Sequence, residues 1–133
     1  MIEMRVVGSD LDGTVTLTRL YNFNNSKLPW WCAAWLILVR PNEKMIKVLR
    51  GWQKKGNVII FISARPKQLE GLTKWWFKIH RVPFDQLLLV GKGKGVAERK
   101  FEIIKQMKVK EFFDDDPKTI EYLKEHGINA RLP

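Results

Sequence analysis

The feature that most constrains the fold is an alternation of short apolar runs with segments of helical period. Five runs qualify as strands: residues 4–9, 58–62, 87–90, a run ending at 112–113, and 128–132. The runs 58–62 and 87–90 are continuously apolar, which is typical of strands buried on both faces. Strands separated by helices require right-handed crossovers, so the pattern predicts a mostly parallel sheet with helices on both faces. The expected fold is a Rossmann-like α/β three-layer sandwich of about five strands.

The helices are predicted from apolar residues that recur every three or four positions. Their expected buried faces are Met45, Leu49 and Trp52; Leu69, Leu72, Trp76 and Ile79; and Ala97, Phe101, Ile104 and Met107. A last helix is predicted over residues 117–126, after the acidic run at 114–116. The first helix has Asn42 as its candidate N-cap, because an Asn side chain there can accept from a free backbone N–H.

Length and composition bound the class of protein. The chain has 133 residues, which predicts a single domain over 1–133. Its single cysteine, Cys32, excludes an intramolecular disulfide and favours a reducing, cytoplasmic location. The N-terminus does not read as a signal peptide. The most apolar stretch, residues 28–39, is too short to span a bilayer, so no transmembrane segment is expected.

The charge balance points to anionic partners. Lys and Arg number 24 against 14 Asp and Glu, giving a net charge of +10. A field of this size favours nucleotides, nucleic acid or a membrane surface as partners. A Lys-rich solvated surface of the kind found in thermophile proteins explains the same charge equally well.

The first candidate site follows the first strand, in the run Asp10-Leu11-Asp12-Gly13-Thr14. Side chains two apart in an extended segment point to the same face, so Asp10 and Asp12 are expected to lie together. Carboxylates this close repel, which predicts a divalent cation or a shared proton between them. The competing interpretation is an ordinary turn rich in Asp and Gly.

A second acidic cluster follows the fourth strand, at Asp114, Asp115 and Asp116. Asp116 precedes Pro117, which indicates an N-cap with proline at the first helical position rather than a catalytic residue. Because Mg²⁺ prefers carboxylate oxygens and water, Asp10 with one of Asp114 and Asp115, and the Asp12 main-chain carbonyl, would suffice to hold it. Asp115 is the preferred ligand of that pair.

Candidate phosphate contacts come from other loops. Ser63 and Ala64 place a hydroxyl and backbone N–H groups at a strand-to-helix turn, a position suited to phosphate oxygens; Ser63 could instead cap the following helix. Thr14 adds a second hydroxyl beside the first acidic cluster. A cation is also needed to offset phosphoryl charge. Lys100 is the favoured candidate, and the rivals are Lys92 and Lys94 in a glycine-rich loop that is not a Walker A motif.

Taken in order, these segments resemble the four motifs of the haloacid dehalogenase (HAD) superfamily. The motifs are Asp10 to Thr14, Ser63 after an apolar strand, Lys100, and Phe112-Phe113-Asp114-Asp115. The resemblance implies a sheet ordered 3-2-1-4-5, a phosphoryl-accepting nucleophile at Asp10 and a general acid/base at Asp12. It further implies Ser63 and Lys100 on the phosphate, with Asp114 and Asp115 completing a Mg²⁺ site.

Within the superfamily, the chain is most similar to the 3′-phosphatase domains of polynucleotide kinases. The similar segments are residues 63–66, 73–76, 82–84, 98–100 and 127–128. Deoxyribonucleotidases share an Asp-Asp pair before a proline-containing stretch. The chain departs from the superfamily at Gly8-Ser9, where a bulky apolar pair is usual, and in the segment after the first motif.

That segment, residues 15–41, is predicted to be a small cap or flap insertion. It contains a polar run, residues 22–26, followed by Trp30, Trp31 and Trp35. Tryptophans packed on the sheet or on each other are the simplest interpretation. A lid that stacks a base, a homodimer contact through Trp30–Trp35 and a membrane-contact hairpin are the alternatives.

These observations predict a Mg²⁺-dependent phosphomonoesterase that acts through an aspartyl-phosphate. Its substrate is expected to be a nucleotide or a nucleic-acid terminal phosphate. The alternatives are a non-catalytic module that binds metal and nucleic acid, a small-molecule (sugar phosphate) phosphatase, and a membrane- or partner-docking protein.

Overall fold

The structure, a computed structural model, describes residues 5–12, 14–16, 39–91 and 94–133. Strands and helices alternate along these residues. The strands are β1 (Val6–Ser9), β2 (Val58–Ser63), β3 (Gln86–Leu89), β4 (Val109–Phe113) and β5 (Asn129–Arg131). The helices are α1 (Glu43–Lys54), α2 (Glu70–His80, preceded by a 3₁₀ turn at Lys67–Leu69), α3 (Val96–Gln106) and α4 (Pro117–Glu125). The α/β alternation predicted from the apolar pattern is confirmed.

The described strands form one five-stranded sheet in the order β3-β2-β1-β4-β5. Every neighbouring pair is parallel. The order 3-2-1-4-5 implied by the motif resemblance is therefore confirmed. Because the chain order reverses at β1, the loops after β1, β2 and β4 meet at one edge of the sheet, where doubly wound proteins bind ligands.

Apolar side chains form one core on each face of the sheet. One face packs against α1 and α2 and includes Leu49, Phe61 and Trp76, and the other packs against α3 and α4 and includes Ile62, Ile104 and Phe112. Burial on both faces explains why β2 reads as a continuous apolar run. The predicted face of α2 is partly wrong. Thr73, Trp76 and Phe77 are its buried residues, whereas Ile79 is 47% exposed.

The error on α2 has a geometric cause. At 100° per residue, Ile79 lies about 115° from the direction in which Thr73, Trp76 and Phe77 point together. Thr73 lies at the centre of the buried stripe, and because it is polar, the pattern of apolar residues at helical spacing does not include it. The Thr73 hydroxyl is satisfied within its own helix, since it donates to the Leu69 carbonyl at 2.7 Å.

Packing between β1 and β4 explains why Gly8 stands where the superfamily usually has a bulky apolar residue. A Cβ atom there would lie 2.9 Å from the Phe112 ring and 3.3 Å from Val109. Real Cβ atoms do not approach so closely, so only glycine lets Phe112 of the neighbouring strand lie against β1. A bulky residue on β4 thus occupies the space that a bulky residue on β1 would have filled.

The base of the predicted insertion is tied to the first motif. An antiparallel bridge joins Thr16 to Pro41, and the Asn42 N–H donates to the Val15 carbonyl at 2.6 Å. The Asn42 side chain caps α1 by accepting from the Met45 N–H, as predicted, and also donates to the Thr14 carbonyl at 3.0 Å. These bonds hold the chain entering and leaving the insertion beside the carboxyl end of β1.

Trp30, Trp31 and Trp35, together with the rest of residues 17–38, lie outside the described residues, so the interpretations of that segment stay predictions. Across the described ranges, no helix combines the length and the apolarity needed to cross a bilayer.

Candidate active site

The carboxyl ends of β1, β2 and β4 bring the predicted site residues to one edge of the sheet. Asp10 follows β1 and its N–H donates to the Phe113 carbonyl of β4 at 2.7 Å. Asp114 follows β4 and its N–H donates to the Arg131 carbonyl of β5 at 3.1 Å. These bonds extend the parallel ladders by one residue, so they set the two aspartates side by side. Ser63 ends β2 on the other side of β1 and is also buried.

Lys100 lies between the two acidic motifs. Its Nζ donates to Asp114 Oδ2 at 2.7 Å and to Asp10 Oδ1 at 3.2 Å. The lysine side chain is only 4% exposed, and those of Asp10 and Asp114 are 9% and 1% exposed. Helix α3 has an apolar stripe that includes Ile104, and Lys100 lies on that stripe one turn earlier. The structure therefore brings together the lysine and the two acidic motifs that the sequence singled out.

Burial and charge control the ionisation of this cluster. Burial raises the pKa of Asp10 well above its ordinary value, Lys100 opposes this, and repulsion from Asp114 and Asp12 adds to it. Burial lowers the pKa of Lys100, but the carboxylates of Asp10 and Asp114 more than offset that effect and raise it to about 12. Lys100 is thus a fixed positive charge, and further positive charge beside Asp10 would favour its ionised form.

The residues fit a divalent cation. Asp10, Asp114 and Asp115 each offer a carboxylate oxygen, and these oxygens lie within 4.8 Å of one another. A set of carboxylate oxygens without nitrogen or sulfur suits a hard ion such as Mg²⁺. The Asp12 carboxylate is not part of this group. Its predicted metal contact is the main-chain carbonyl, which leaves the side chain for another role.

The Asp12 side chain is held by Arg65, a residue to which the sequence analysis assigned no role. Arg65 Nε donates to Asp12 Oδ2 at 2.9 Å and its Nη2 donates to Oδ1 at 2.6 Å. A third donor, Nη1, reaches the Thr73 hydroxyl at 3.0 Å. The Arg65 side chain is 3% exposed, whereas that of Asp12 is 20% exposed. This bidentate pair fixes the orientation of Asp12 at the opening of the site.

The available signal for Arg65 was its place two residues after Ser63, at the end of a central strand. Ser63 Oγ accepts the Arg65 N–H at 3.1 Å, so the serine shapes this turn. The alternative in which Ser63 caps the next helix is wrong, because the 3₁₀ turn starts at Lys67 with Pro66 in the N-cap position. Ala64 lies between them and is half-buried.

Thr14 is buried, and its hydroxyl has no hydrogen-bond partner among the described residues. A buried polar group normally has a partner, so this hydroxyl is an exception within the described part of the chain. Asp116 caps α4, as predicted, and accepts from the Lys118 N–H at 3.2 Å. Of the rival lysines, Lys94 is exposed and Lys92 lies outside the described residues.

Two curated relatives share sequence with the chain, and both bear the name "putative nucleotidase". One, from Halalkalibacterium halodurans, is 38% identical over 69 residues, which are 52% of this chain and 32% of the relative. The other, from Bacillus cereus, is 33% identical over 95 residues, which are 68% of this chain and 47% of the relative. The chain thus matches a third to a half of the length of these relatives. No family model matches the chain.

Solved structures share its fold. The Pnkp1/Rnl/Hen1 RNA repair complex contains a similar chain, with a TM-score of 0.77, 19% identity and coverage of 98% of this chain and 42% of that one. A D,D-heptose 1,7-bisphosphate phosphatase from B. bronchiseptica, complexed with magnesium and phosphate, gives a TM-score of 0.66 at 11% identity. The match covers 97% of this chain and 80% of that one. The HAD domain of effector protein Lem4 from Legionella pneumophila gives a TM-score of 0.63 at 16% identity. The match covers 98% of this chain and 85% of that one. By its sheet order, its motifs and these likenesses, the chain is a protein of the haloacid dehalogenase fold.

Proposed function

We propose that this chain is a Mg²⁺-dependent phosphomonoesterase that transfers the phosphoryl group to Asp10 and then to water. The observation that carries the proposal is the buried Lys100 ammonium, which bridges Asp10 and Asp114 at the switch point of the sheet. A buried lysine between two carboxylates costs desolvation energy. In return, the ammonium group is already in position to neutralise phosphoryl oxygens, so no reorganisation is needed during the reaction.

In the first step, Asp10 attacks phosphorus and forms an acyl-phosphate bond while the ester P–O bond breaks. Lys100 orients Asp10 and offsets charge on the phosphoryl oxygens. The Ser63 hydroxyl, the backbone N–H of Ala64 and the unpartnered Thr14 hydroxyl are the neutral donors proposed for the same oxygens. A bound Mg²⁺ would supply further positive charge beside the nucleophile.

The cation is expected to use Asp10 and Asp115 as its main carboxylate contacts. Asp114 already uses both oxygens within the protein, since Oδ2 accepts from Lys100 and Oδ1 accepts from the Asp116 N–H at 3.0 Å. Asp115 is half-buried and its carboxylate belongs to the same group of close oxygens. Asp114 is then chiefly the anchor of Lys100.

Asp12 serves both steps as the proton carrier. It gives its proton to the leaving alkoxide in the first step. In the second step it takes a proton from the water that attacks phosphorus, and the Asp10–phosphorus bond breaks to release phosphate. Arg65 does not touch the substrate in this scheme. It is a positioning residue that keeps the Asp12 carboxylate at the site opening.

The proposed substrate is a nucleotide or a terminal phosphate of a nucleic acid. The names of the two relatives and the net charge of +10 support this choice. The structural likeness to a chain of an RNA repair complex supports the nucleic-acid form. A sugar phosphate is the alternative, supported by the likeness to a heptose bisphosphate phosphatase.

The test is a phosphate-release screen in Mg²⁺ and in chelator. We expect release from a generic aryl phosphate, abolished by chelator, and faster release from a 3′- or 5′-phosphorylated oligonucleotide than from a mononucleotide or a sugar phosphate. Equal rates on the oligonucleotide and the mononucleotide would contradict the proposal that the substrate is a terminal phosphate of a nucleic acid. No release from any substrate would support the non-catalytic alternative instead.

The role of Asp12 predicts a dependence on the leaving group. In Asp12→Asn we expect hydrolysis of an alkyl phosphate to fall by roughly 10²–10⁴-fold, the range for losing general acid catalysis. An aryl phosphate whose leaving group is already a weak base should lose much less in the transfer step, which a burst of aryl alcohol release measures. Arg65→Lys should show the same difference in weaker form, because lysine cannot bind a carboxylate with two parallel donors.

Arg50→Lys is the matched control for the arginine, since Arg50 is exposed on α1. Arg50→Lys should leave the rates of hydrolysis of both the alkyl and the aryl phosphate unchanged. Equal losses on alkyl and aryl substrates in the transfer step of Asp12→Asn would contradict proton donation by Asp12 to the leaving group.

A further inference from the structure

A cavity lies at the opposite edge of the sheet from Asp10. It has a volume of about 490 Å³ and opens beside the amino ends of β1, β2 and β4. Its wall includes Trp52 near the end of α1 and the side chains of Arg5, Lys55 and Lys110. The proposed phosphatase mechanism uses none of these residues.

The cavity exists because the face of β4 and β5 next to α1 is not covered by any described helix. On that face Asn129 and Arg131 of β5 are exposed, and α4 packs on the other side of the sheet with Ile120 and Leu123. The Trp52 ring, half-buried, borders the uncovered area and packs against Phe113 with 5.5 Å between ring centroids. An aromatic ring thus forms one wall of an open, polar pocket.

The backbone directs three cations toward this pocket. The Val58 N–H donates to the Arg5 carbonyl at 2.8 Å, which places Arg5 beside the loop after α1. Lys55 is the C-cap residue of α1. Lys110 lies at a register shift, since Val6 pairs with Val109 while Val7 pairs with Glu111. Such a bulge redirects a side chain out of the regular alternation of a strand.

The acidic residue of the pocket does not cancel this charge. Glu111 forms an ion pair with Arg131 at 3.4 Å, so its charge already has a partner outside the three cations. The cavity also contains two amide side chains, Asn57 and Asn129, which offer both donors and acceptors. The result is a concave site with an aromatic wall, a positive potential and amide groups.

We infer that this cavity binds a nucleoside phosphate, either free or as one unit of a single strand. Its volume is within the range of small-ligand pockets. The indole provides a stacking surface for a base, the three cations attract phosphate, and the amides can bind the edge of a base. An inorganic anion would use the cations but would leave the tryptophan and the amides without a role.

The site is separate from the active site. Val7 lines the cavity and lies three residues before Asp10 on the same strand, which is roughly 10 Å at 3.3 Å per residue. A phosphate held here is therefore not the one that Asp10 attacks. A strand bound along this side could continue toward the active site, whereas a free nucleotide could not occupy both.

The experiment is calorimetric titration of the full chain in chelator with a probe that has no phosphomonoester. Thymidylyl-thymidine with hydroxyl ends is the unit probe, a hydroxyl-ended thymidine octamer is the strand probe, and inorganic phosphate is the anion probe. Because neither thymidine probe carries a terminal phosphate, binding does not depend on the proposed phosphatase activity. The key variant is K55E/K110E, which reverses two exposed charges of the cavity. K47E/K124E makes the same change of net charge at exposed lysines elsewhere.

We expect K55E/K110E to weaken binding of the thymidine probes at least 10-fold and K47E/K124E to change it less than 2-fold. Trp52→Phe should abolish most of the ligand-induced quenching of tryptophan fluorescence. Binding of the octamer alone, lost in K55E/K110E, would identify the strand as the ligand. Equal weakening in both double variants would overturn the site in favour of a general positive field. Inorganic phosphate binding as tightly as the dinucleotide, or no binding of either thymidine probe, would also overturn it.

Discussion

Asp10→Asn should abolish phosphate release, by at least about 10⁴-fold, while the protein stays folded. The loss is large because the amide cannot form the bond to phosphorus, and removal of a nucleophile costs far more than removal of a binding contact. The fold should survive because the side-chain volume is unchanged and Lys100 keeps Asp114 as its partner at 2.7 Å. Single-turnover phosphate release and a thermal melt measure the two properties separately.

Asp116→Asn is the matched control for this acid-to-amide change. Asp116 lies at the same edge of the sheet, but its side chain caps α4. Asparagine caps helices about as well as aspartate, so both the rate and the melting temperature should be near those of the unchanged protein. A wild-type rate in Asp10→Asn would assign the nucleophile to another residue and would contradict the proposed mechanism.

Lys100→Ala should lower the rate by roughly 10²–10³-fold, the effect of losing one preorganised electrostatic contact. The structure adds a second expectation, which concerns stability. Without the ammonium, Asp10 and Asp114 face each other in a buried site, and breaking a buried ion pair costs about 3–5 kcal/mol of unfolding free energy. Urea denaturation measures the stability, and the rate is compared at a temperature where the variant is folded.

Lys94→Ala provides the comparison, since Lys94 is an exposed lysine of the glycine-rich loop. It should change the rate less than 2-fold and the unfolding free energy by no more than about 0.5 kcal/mol, as for other surface substitutions. The reverse ranking of the two variants would move the phosphate-binding lysine to the loop. A loss of stability in Lys100→Ala with a normal rate would make Lys100 a structural residue only.

The sequence by itself determined the layers of this protein and the position of its acidic groups. Apolar runs such as residues 58–62 predict buried strands because a parallel sheet covered on both faces has no polar side. The alternation with helices then predicts parallel pairing, and parallel pairing places the residues after each strand at one edge. Asp10 and Asp114 follow from this reasoning without any knowledge of their neighbours.

Only the tertiary structure showed that a cation joins those acids directly. The sequence favours Lys100 over Lys92 and Lys94, but each of the three is by type an ordinary surface residue. Lys100 differs because its position on α3 points toward the carboxyl ends of β1 and β4, and burial there is tolerated only with Asp10 and Asp114 as partners. The sequence around Lys100 does not show that Asp10, 90 residues away, accepts a hydrogen bond from its ammonium group.

The same reason explains the other features that the sequence did not reveal. Arg65 and Asp12 are 53 residues apart, and their bidentate pair exists only because β1 and β2 are neighbours in register. The bulge at Lys110 depends on the pairing of β4 with β1. Local propensity and periodicity determine which elements form and which face is apolar. Contacts between distant segments determine which polar side chains meet, because long-range pairing sets these distances and sequence spacing does not.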